Sequence, residues 1–226
     1  MSPQVRLPFI PGGFLNSANS PVVTGQYEPI TGLPLPSGAS AGMWFDMTEG
    51  EAQAYSNGGT GLQLLHAGRY QWVQLSSSAL ASGTGSLKLG QGLFWVPSSN
   101  TPQQYVVTNV PVNSTSAPPA GVFLNTATAG AYPVTPGNWF FMQSFAAPGR
   151  ATVQLVSAIT NGSPAIGDTI VLALEAAGAA NTGLFDDPGD SADATAAQLV
   201  SVIGSAETAP ASGGLVVVDI RAQIGG

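Results

Sequence analysis

Two stretches of similar pattern, AGRYQWVQL at residues 67–75 and PGNWFFMQS at residues 136–144, give the strongest indication of the fold. Each has a glycine, aromatic residues two and four positions later, and then a glutamine, and the two align at an offset of 69 residues. Alternate residues of a β-strand share one face, so these positions would line one face of each strand. They are Tyr70, Trp72 and Gln74 in the first stretch and Trp139, Phe141 and Gln143 in the second. The pattern predicts two aromatic strands, related either by duplication of a β-unit or by chance.

The rest of residues 41–226 also consists of short β-rich runs separated by Gly, Pro, Asn and Ser. Many short strands at close spacing are typical of a sandwich or barrel. The predicted strands cover residues 61–65, 70–76, 86–89, 93–96, 105–110, 121–124, 138–144, 151–159, 169–174, 199–203 and 215–220. The best helical candidate is residues 191–203, capped by Ser191, and its first half fits better than its second. We therefore expect an all-β fold, an antiparallel sandwich or barrel, built either as one β-rich domain over residues 41–226 or as two β-units at about residues 41–118 and 119–226.

Residues 1–40 differ in composition from the rest of the chain, with prolines at positions 3, 8, 11, 21, 29, 34 and 36. Proline fixes φ and removes a backbone donor, so this segment is predicted to be an extended, polyproline-like arm. It also carries large apolar side chains, which a disordered tail would have in smaller number. The residues expected to bind a partner are Leu7, Phe9, Ile10, Phe14 and Tyr27. The arm is predicted to bind a neighbouring protein, and a flexible leader is the alternative.

The chain is weakly charged, with 17 charged residues making up 8% of the sequence, against about 25% in ordinary soluble domains. Its net charge is −7, and its five basic residues are scattered along the chain, which argues against nucleic-acid binding. A surface with few charges suits close contact with other proteins, because burying it removes few ions from water. The alternative is a secreted or halotolerant monomer with a polar, uncharged coat.

No membrane partner is expected, because the longest apolar run, residues 170–174, is far shorter than the roughly 20 residues that span a bilayer. The first residues, MSPQVRLPFIPGGF, do not have the pattern of a signal peptide. The chain has no cysteine, which excludes thiol catalysis and cysteine-bound metals.

Little in the sequence suggests catalysis, and neither an enzyme nor a cofactor is expected. His66 is the only histidine, which excludes a His-rich metal site and a two-histidine mechanism. It precedes a turn glycine and is predicted to be a surface or interface residue. Asp46, Glu49 and Glu51 form a small acidic patch nearby. The four tryptophans, Trp44 among them, are predicted to be core or interface anchors.

The densest acidic cluster lies in FDDPGDSAD and is composed of Asp186, Asp187, Asp190 and Asp193. Calcium prefers oxygen ligands of this kind, so the cluster is a weak candidate calcium site. Its spacing is not that of an EF-hand loop, and Asp-Asp-Pro-Gly also satisfies ordinary turn chemistry. A solvated turn without a metal is the favoured interpretation.

Four stretches together resemble a known family: GVFLNTATAGAY (121–132), GNWFFMQSFAAPGRATVQLV (137–156), AIGDTIVLA (165–173) and SVIGSAETAPASGGLVVVDI (201–220). Their order and motifs are similar to the carboxy-terminal β-domain of tailed-bacteriophage head decoration proteins, over nearly half of the chain. Residues 206–209 read Ala-Glu-Thr-Ala where the family usually has Ala-Leu-Glu-Ala. Residues 1–120 have no counterpart in the family pattern.

The resemblance implies a cement protein of the virion, bound to the capsid exterior. Its partners would be the major capsid protein and other copies of itself, commonly as a homotrimer at threefold or quasi-threefold positions. The family has no catalytic residues to carry over. A carbohydrate-binding or host-attachment module of a head fibre or tail is the alternative function.

Overall fold

The computed structural model describes residues 44–50, 52, 65–76, 79, 87, 89–96, 105–110, 119–124, 136, 139–156, 164–172, 183–187, 202–209 and 214–221. Its strands are β1 (Trp44–Met47), β2 (Gly68–Leu75), β3 (Gly92–Trp95), β4 (Val106–Thr108), β5 (Pro119–Phe123), β6 (Trp139–Ser144), β7 (Gly149–Gln154), β8 (Thr169–Leu172), β9 (Phe185–Asp186), β10 (Val202–Ala206) and β11 (Leu215–Ile220). The predicted all-β fold is confirmed. The predicted arm, residues 1–40, lies outside the described residues.

The first sheet closes into a five-stranded barrel. Its strands run in the order β2-β4-β3-β5-β6, and β6 pairs back with β2 to complete the ring. All of these pairs are antiparallel except β2 with β4, which is parallel. Closure leaves no open edge within the ring itself. The short strand β1 lies outside the ring and pairs antiparallel with the first half of β2, from Trp44 opposite Gln71 to Met47 opposite Gly68.

The two similar stretches of the sequence are direct partners in this barrel. In the β2–β6 register, Tyr70 lies opposite Gln143 and Trp72 lies opposite Phe141. The Trp72 and Phe141 ring centroids are 4.7 Å apart with the planes tilted by 56°. Tyr70, Trp72 and Phe141 belong to one hydrophobic cluster, as the predicted shared face requires.

The alternation along the strands divides the apolar residues between two cores. One set fills the barrel interior and consists of Val73, Leu75, Ala79, Leu87, Leu93, Val107, Ala120, Phe123, Phe140 and Met142. The other set, which includes Trp72 and Phe141, faces outward from the barrel and packs against the second sheet. Because the period of a strand is two, one strand can serve both cores.

The second sheet has the order β7-β11-β10-β8-β9, and all of its pairs are antiparallel. A single parallel bridge from Leu155 to Phe185 brings the end of β7 back to β9. The face toward the barrel is apolar, with side chains such as Val153, Ile203 and Val218 fully buried. The chain changes sheet between β6 and β7, so the barrel and the sheet that covers it are joined by four residues, 145–148.

Some predicted elements need correction. The helical candidate 191–203 cannot reach its predicted end, because Val202 and Ile203 begin strand β10, which pairs with both β8 and β11; residues 191–201 lie outside the described residues. Leu65, Leu87 and Leu89, from the predicted strands 61–65 and 86–89, are buried or half-buried but are not in strands. Strands β1 and β9 were not predicted. Within the described residues, no helix has the length and apolar character needed to cross a membrane.

Candidate interaction surface

The most exposed aromatic group of the described residues lies on β1. Trp44 is 49% exposed, and the carbon at the centre of the Arg69 guanidinium lies 3.9 Å from the centroid of its ring. Arg69 also donates two hydrogen bonds to Asp46, from Nε to Oδ1 at 2.9 Å and from Nη2 to Oδ2 at 3.3 Å. We call Trp44, Asp46 and Arg69 the edge patch.

Strand geometry explains why the edge patch forms. Trp44 and Asp46 are two positions apart on β1 and therefore share a face, and Arg69 lies directly opposite Asp46 on β2. A cross-strand Arg–Asp pair places the guanidinium where it can also stack on Trp44, an arrangement that is worth about 0.5–1 kcal/mol at an exposed site. The contact with Arg69 restricts the position of the tryptophan, which is 49% exposed.

Strand β1 pairs with β2 along one edge, and among the described residues no hydrogen bond engages its opposite edge. A strand edge with unpaired N–H and C=O groups is a template for pairing with another chain unless it is blunted. Within the described part of the chain, the edge patch therefore places a half-exposed tryptophan beside a strand edge with no described partner.

A buried ionisable cluster lies at the same end of β2. His66 is only 5% exposed, and its Nδ1 lies 3.5 Å from Glu49 Oε1. The other oxygen of Glu49, Oε2, accepts a hydrogen bond of 2.8 Å from the Ala67 N–H. The prediction was a surface or interface residue; burial contradicts the surface alternative, and the interface alternative stays a prediction. Glu49, from the segment after β1, and the second sheet cover it together.

Two further charged residues of the cluster come from the second sheet. Arg150 on β7 forms an ion pair with Glu207, from Nε to Oε2 at 2.7 Å, and this contact raises the pKa of Arg150. Burial lowers the pKa of His66 below its usual value, an effect that Glu49 opposes and that Arg150 reinforces. We call Glu49, His66, Arg150 and Glu207 the junction cluster. It holds a neutral imidazole between the barrel and the sheet that covers it.

Buried polar side chains connect the two sheets at this point. The hydroxyl of Tyr70 donates a hydrogen bond of 2.9 Å to the carbonyl oxygen of His66, and burial raises the pKa of Tyr70 far above its ordinary value. Gln143 is fully buried, and its Nε2 donates to the carbonyl oxygens of Ala67 and Arg150. Since buried polar groups are costly unless they are bonded, these contacts fix the β2 end of the barrel against β7.

The junction cluster is organised for structure more than for chemistry. General acid–base catalysis needs a group within hydrogen-bonding reach of a bound substrate. The described residues bury the imidazole of His66. The Glu49 carboxylate beside it already accepts a hydrogen bond from the Ala67 N–H. What the cluster can do is change its charge as the pH falls.

The residues predicted from sequence to bind a partner or a metal are placed only in part. Leu7, Phe9, Ile10, Phe14 and Tyr27 lie outside the described residues, as do Asp190 and Asp193. Asp186 is in strand β9, and its Oδ1 accepts a hydrogen bond from the backbone N–H of Asp187, whose side chain is buried. Among the described residues, no three acidic or histidine side chains are grouped to hold a metal ion. The solvated turn favoured for this cluster and the weak calcium alternative both stay predictions.

Two residues of the acidic patch noted in the sequence, Asp46 and Glu49, make contacts within the protein. Asp46 pairs with Arg69, and Glu49 bonds to the Ala67 backbone beside His66. Sequence reasoning did not predict either partner. One signal was available: an acidic residue in a strand, opposite an arginine of the next strand, favours a cross-strand pair.

Comparison with known proteins adds no further identification. No protein-family model matches the chain, and no curated protein matches its sequence.

Proposed function

We propose that this chain is a virion structural protein, a decoration or cement protein that binds the outer surface of a phage head. In this proposal it stabilises the capsid through contacts with the major capsid protein and with other copies of itself, arranged as a homotrimer. The observation that carries the proposal is the edge patch. A half-exposed tryptophan beside a strand edge that no described residue engages, on the strand that follows the proline-rich residues 1–40 in the sequence, is suited to protein–protein contact.

The charge distribution supports the same function. The two ion pairs between carboxylates and arginines that the structure describes, Asp46–Arg69 and Arg150–Glu207, are each neutral as a unit. Burying a neutral pair in an interface is less costly than burying an isolated ion, because the partner charge remains in place. Covering these two pairs with another protein would not isolate either charge of a pair.

The architecture also suits a protein whose task is to hold other proteins together. The barrel has its own core, and a second core joins it to the covering sheet. Two cores linked by buried hydrogen bonds give a scaffold that can bear load without large internal movement. In a cement protein, such a scaffold would keep the arm and the edge patch at a fixed separation.

Binding to capsid shells tests the proposal. Full-length protein is mixed with shells that lack a decoration protein, and co-sedimentation is measured together with the temperature at which the shells break open. We expect saturable binding and a higher breakage temperature. A full-length protein that stays in the supernatant at all concentrations would contradict the proposed function.

The role of the arm is tested with a variant that lacks residues 1–40. We expect it to fold, with a strand-type circular dichroism spectrum and a cooperative thermal transition, but to lose binding to shells. The control is the full-length Ile166→Ala variant, which removes an exposed apolar side chain of the β7–β8 connection and should bind normally. Full retention of binding by the truncated protein would remove the arm from the proposal.

Trp44 also favours a second candidate, a carbohydrate-binding or host-attachment module. Aromatic rings with one free face can stack on sugars, and one ring face of Trp44 is not covered by Arg69. A glycan array probed with the full-length protein and with Trp44→Ala tests this function. Binding that is lost in the variant would favour it, and an array without signal for the full-length protein would exclude it for the glycans present.

A further inference from the structure

We propose that residues 66–67, directly before β2, form a pH switch: when His66 takes up a proton from water, this segment separates from β7 while both cores stay folded. The segment joins the barrel to the second sheet and contacts three other parts of the chain. The switch would act in a single free molecule. It therefore goes beyond the proposed function and does not depend on it.

The backbone of Ala67 holds the segment in place. Its N–H donates to Glu49 Oε2 at 2.8 Å, and its carbonyl oxygen accepts from the Arg150 N–H at 3.1 Å. Gln143 Nε2 donates to the same oxygen at 3.4 Å and also to the carbonyl oxygen of Arg150. A movement of this one residue therefore changes contacts with the segment after β1, with β6 and with β7.

Strand β7 begins in direct contact with the 66–67 segment. A Cβ placed on Gly149 would lie 2.6 Å from the Ala67 carbonyl oxygen and 3.1 Å from the Cα of Gly68. The two backbones thus meet with no side chain between them. Because closely packed groups cannot absorb a shift by compression, a displacement of the segment must displace β7 or break the contact.

The imidazole of His66 is buried beside these contacts. Its side chain is only 7% exposed, and the carbonyl oxygen of the same residue accepts from the Tyr70 hydroxyl at 2.9 Å. A buried imidazolium is costly unless it is paired. Protonation therefore favours a position in which the ring reaches water or a carboxylate. Either movement acts on Ala67 through the peptide bond that joins the two residues.

The charges on either side of the ring act on the same bonds. Glu49 Oε1 lies 3.5 Å from the ring Nδ1, so an imidazolium attracts the carboxylate that accepts from the Ala67 N–H. Arg150 disfavours the charged form of the ring, so an imidazolium repels the first part of β7. Glu207 pairs with Arg150 at 2.7 Å, and Asp219 of β11 acts on the same guanidinium. Attraction on one side and repulsion on the other both weaken the hydrogen bonds of Ala67.

The surrounding groups determine the pH at which the ring becomes charged. Burial has the largest effect on His66 and lowers its pKa below 6.5, and Arg150 adds to this shift. Glu49 and Glu207 oppose it. Tyr70 on β2 stays neutral because burial raises its pKa. The segment is therefore fixed at neutral pH and released in acidic solution.

NMR on untagged full-length protein tests the switch directly. His66 is the only histidine, so the Hε1 resonance of one ring gives its titration midpoint, which we expect below pH 6.5. Amide hydrogen exchange is measured as protection factors, which correct for the pH dependence of the unfolded chain. Through the midpoint, protection of the Ala67 and Arg150 amides should fall by about tenfold or more. Protection of Val153 and Val73, within the β7–β11 and β2–β6 pairs, should change less than about twofold.

Three outcomes would overturn the inference. Constant protection of the Ala67 and Arg150 amides through the midpoint would mean that charging His66 releases nothing. Equal loss of protection at all four amides would mean that the whole fold opens without a local switch. In His66→Gln the Ala67 amide should keep its protection as the pH falls, and a loss equal to that of the wild type would assign the pH dependence to another group.

Charge-removing variants test the cause, and each keeps the backbone hydrogen bonds. Glu49→Gln retains an oxygen acceptor for the Ala67 N–H and should move the midpoint to lower pH. Arg150→Gln retains the N–H of β7 and should move the midpoint to higher pH. The pH at which the Ala67 amide loses protection should follow in both directions. The matched control Asp168→Asn keeps an acceptor for the Ala165 N–H and should change neither value. A midpoint that moves without the loss of protection would contradict the switch.

Discussion

The outer edges of strands β7 and β1 differ in their hydrogen bonding among the described residues. The outer edge of β7 is closed by the chain itself: the Arg150 N–H donates to the Ala67 carbonyl at 3.1 Å and the Gln154 N–H donates to the Gly90 carbonyl at 2.9 Å. The outer edge of β1 has no such bonds among the described residues, and a tryptophan beside it is half exposed.

The difference indicates that local sequence determines which of the described strand edges is closed. The β7 edge is closed by loops of the barrel, because Ala67 and Gly90 approach it closely. A chain that can close one edge in this way could have closed the other. An edge left open is the usual feature by which a β-protein pairs with another chain, and natural proteins blunt edges that serve no such purpose.

The largest effect on the free energy of unfolding should come from comparing a tryptophan-to-alanine substitution in the core with one at the outer edge of β1. Trp72→Ala removes a side chain that is 1% exposed and packs on Phe141, so we expect the free energy of unfolding to fall by about 3–5 kcal/mol. Trp44→Ala, at the bare edge, should lower it by less than about 1 kcal/mol. Urea unfolding of both variants measures the difference. Equal losses would mean that Trp44 is part of a core.

Alanine substitutions at two separate glycines, Gly149 and Gly50, test the closed edge of β7, and the expected effect is smaller. A Cβ added at Gly149 would lie 2.6 Å from the Ala67 carbonyl oxygen, so Gly149→Ala must push β7 from the barrel and should lower the free energy of unfolding by about 1–3 kcal/mol. Gly50→Ala, after β1, meets no atom within 4 Å and should change it by about 0.5 kcal/mol or less. Thermal and urea unfolding check both. A neutral Gly149→Ala would show that the closed edge is looser than its hydrogen bonds indicate.

The junction cluster predicts a pH dependence. Because the pKa of His66 is lowered from 6.5 in the folded protein, the unfolded chain binds more protons than the folded one as the pH falls below about 6.5. Stability should therefore decrease as the pH falls from 7.5 to 5.5, by up to about 1.4 kcal/mol for each unit by which the pKa is lowered. The charged groups that act on the imidazole are Glu49, Arg150 and Glu207, and the buried Tyr70 hydroxyl donates to the backbone carbonyl of His66.

Urea unfolding at several pH values, for the wild type and His66→Gln, measures this contribution. The window stays above the ordinary pKa of glutamate, about 4.3, so that carboxylates add little. His66→Gln should have a flatter profile between pH 7.5 and 5.5 even where it is less stable overall. Parallel profiles for the two proteins would mean that His66 does not titrate in this range.

The smallest effect is expected at the Asp46–Arg69 pair. Both side chains are partly exposed, and exposed pairs contribute about 0.2–1 kcal/mol. A double-mutant cycle with Asp46→Asn and Arg69→Gln should give a coupling energy in that range, and 1 M salt should reduce it because screening weakens exposed charges. A coupling that is unchanged by salt would place the pair in a less solvated environment than its exposure indicates.

The sequence predicted the strands that carry their own signal. β11 has the bounds predicted for it, 215–220, because a run of β-branched residues follows a glycine pair. β6 and β8 were predicted within two residues, because aromatic residues in β6 and β-branched residues in β8 favour a strand. β1 and β9 were missed because four and two residues carry almost no local signal, and their pairing partners, β2 and β8, stabilise them through tertiary contacts.

The site was predicted less well than the fold. Trp44 was predicted as a core or interface anchor, but only its place on an edge strand determines that it is exposed. His66 was predicted to be a surface or interface residue, and nothing local indicates that Glu49 would lie beside it and that β7 would approach the same turn. Burial of this kind depends on which distant segments meet, and no spacing along the chain encodes it directly.

Ring closure of the barrel has a consequence for how the chain folds. Strands β2 and β6 complete the ring, and their register pairs Arg69 with Ser144. Strands β3, β4 and β5 lie between these two residues in the sequence. Contacts this far apart require a large loop to be closed before they stabilise anything, and proteins dominated by them fold in milliseconds to seconds. During that interval the aromatic strands are exposed, and the risk of aggregation is greatest. A low rate of synthesis or a chaperone should therefore raise the yield of this protein more than a change that stabilises its folded state.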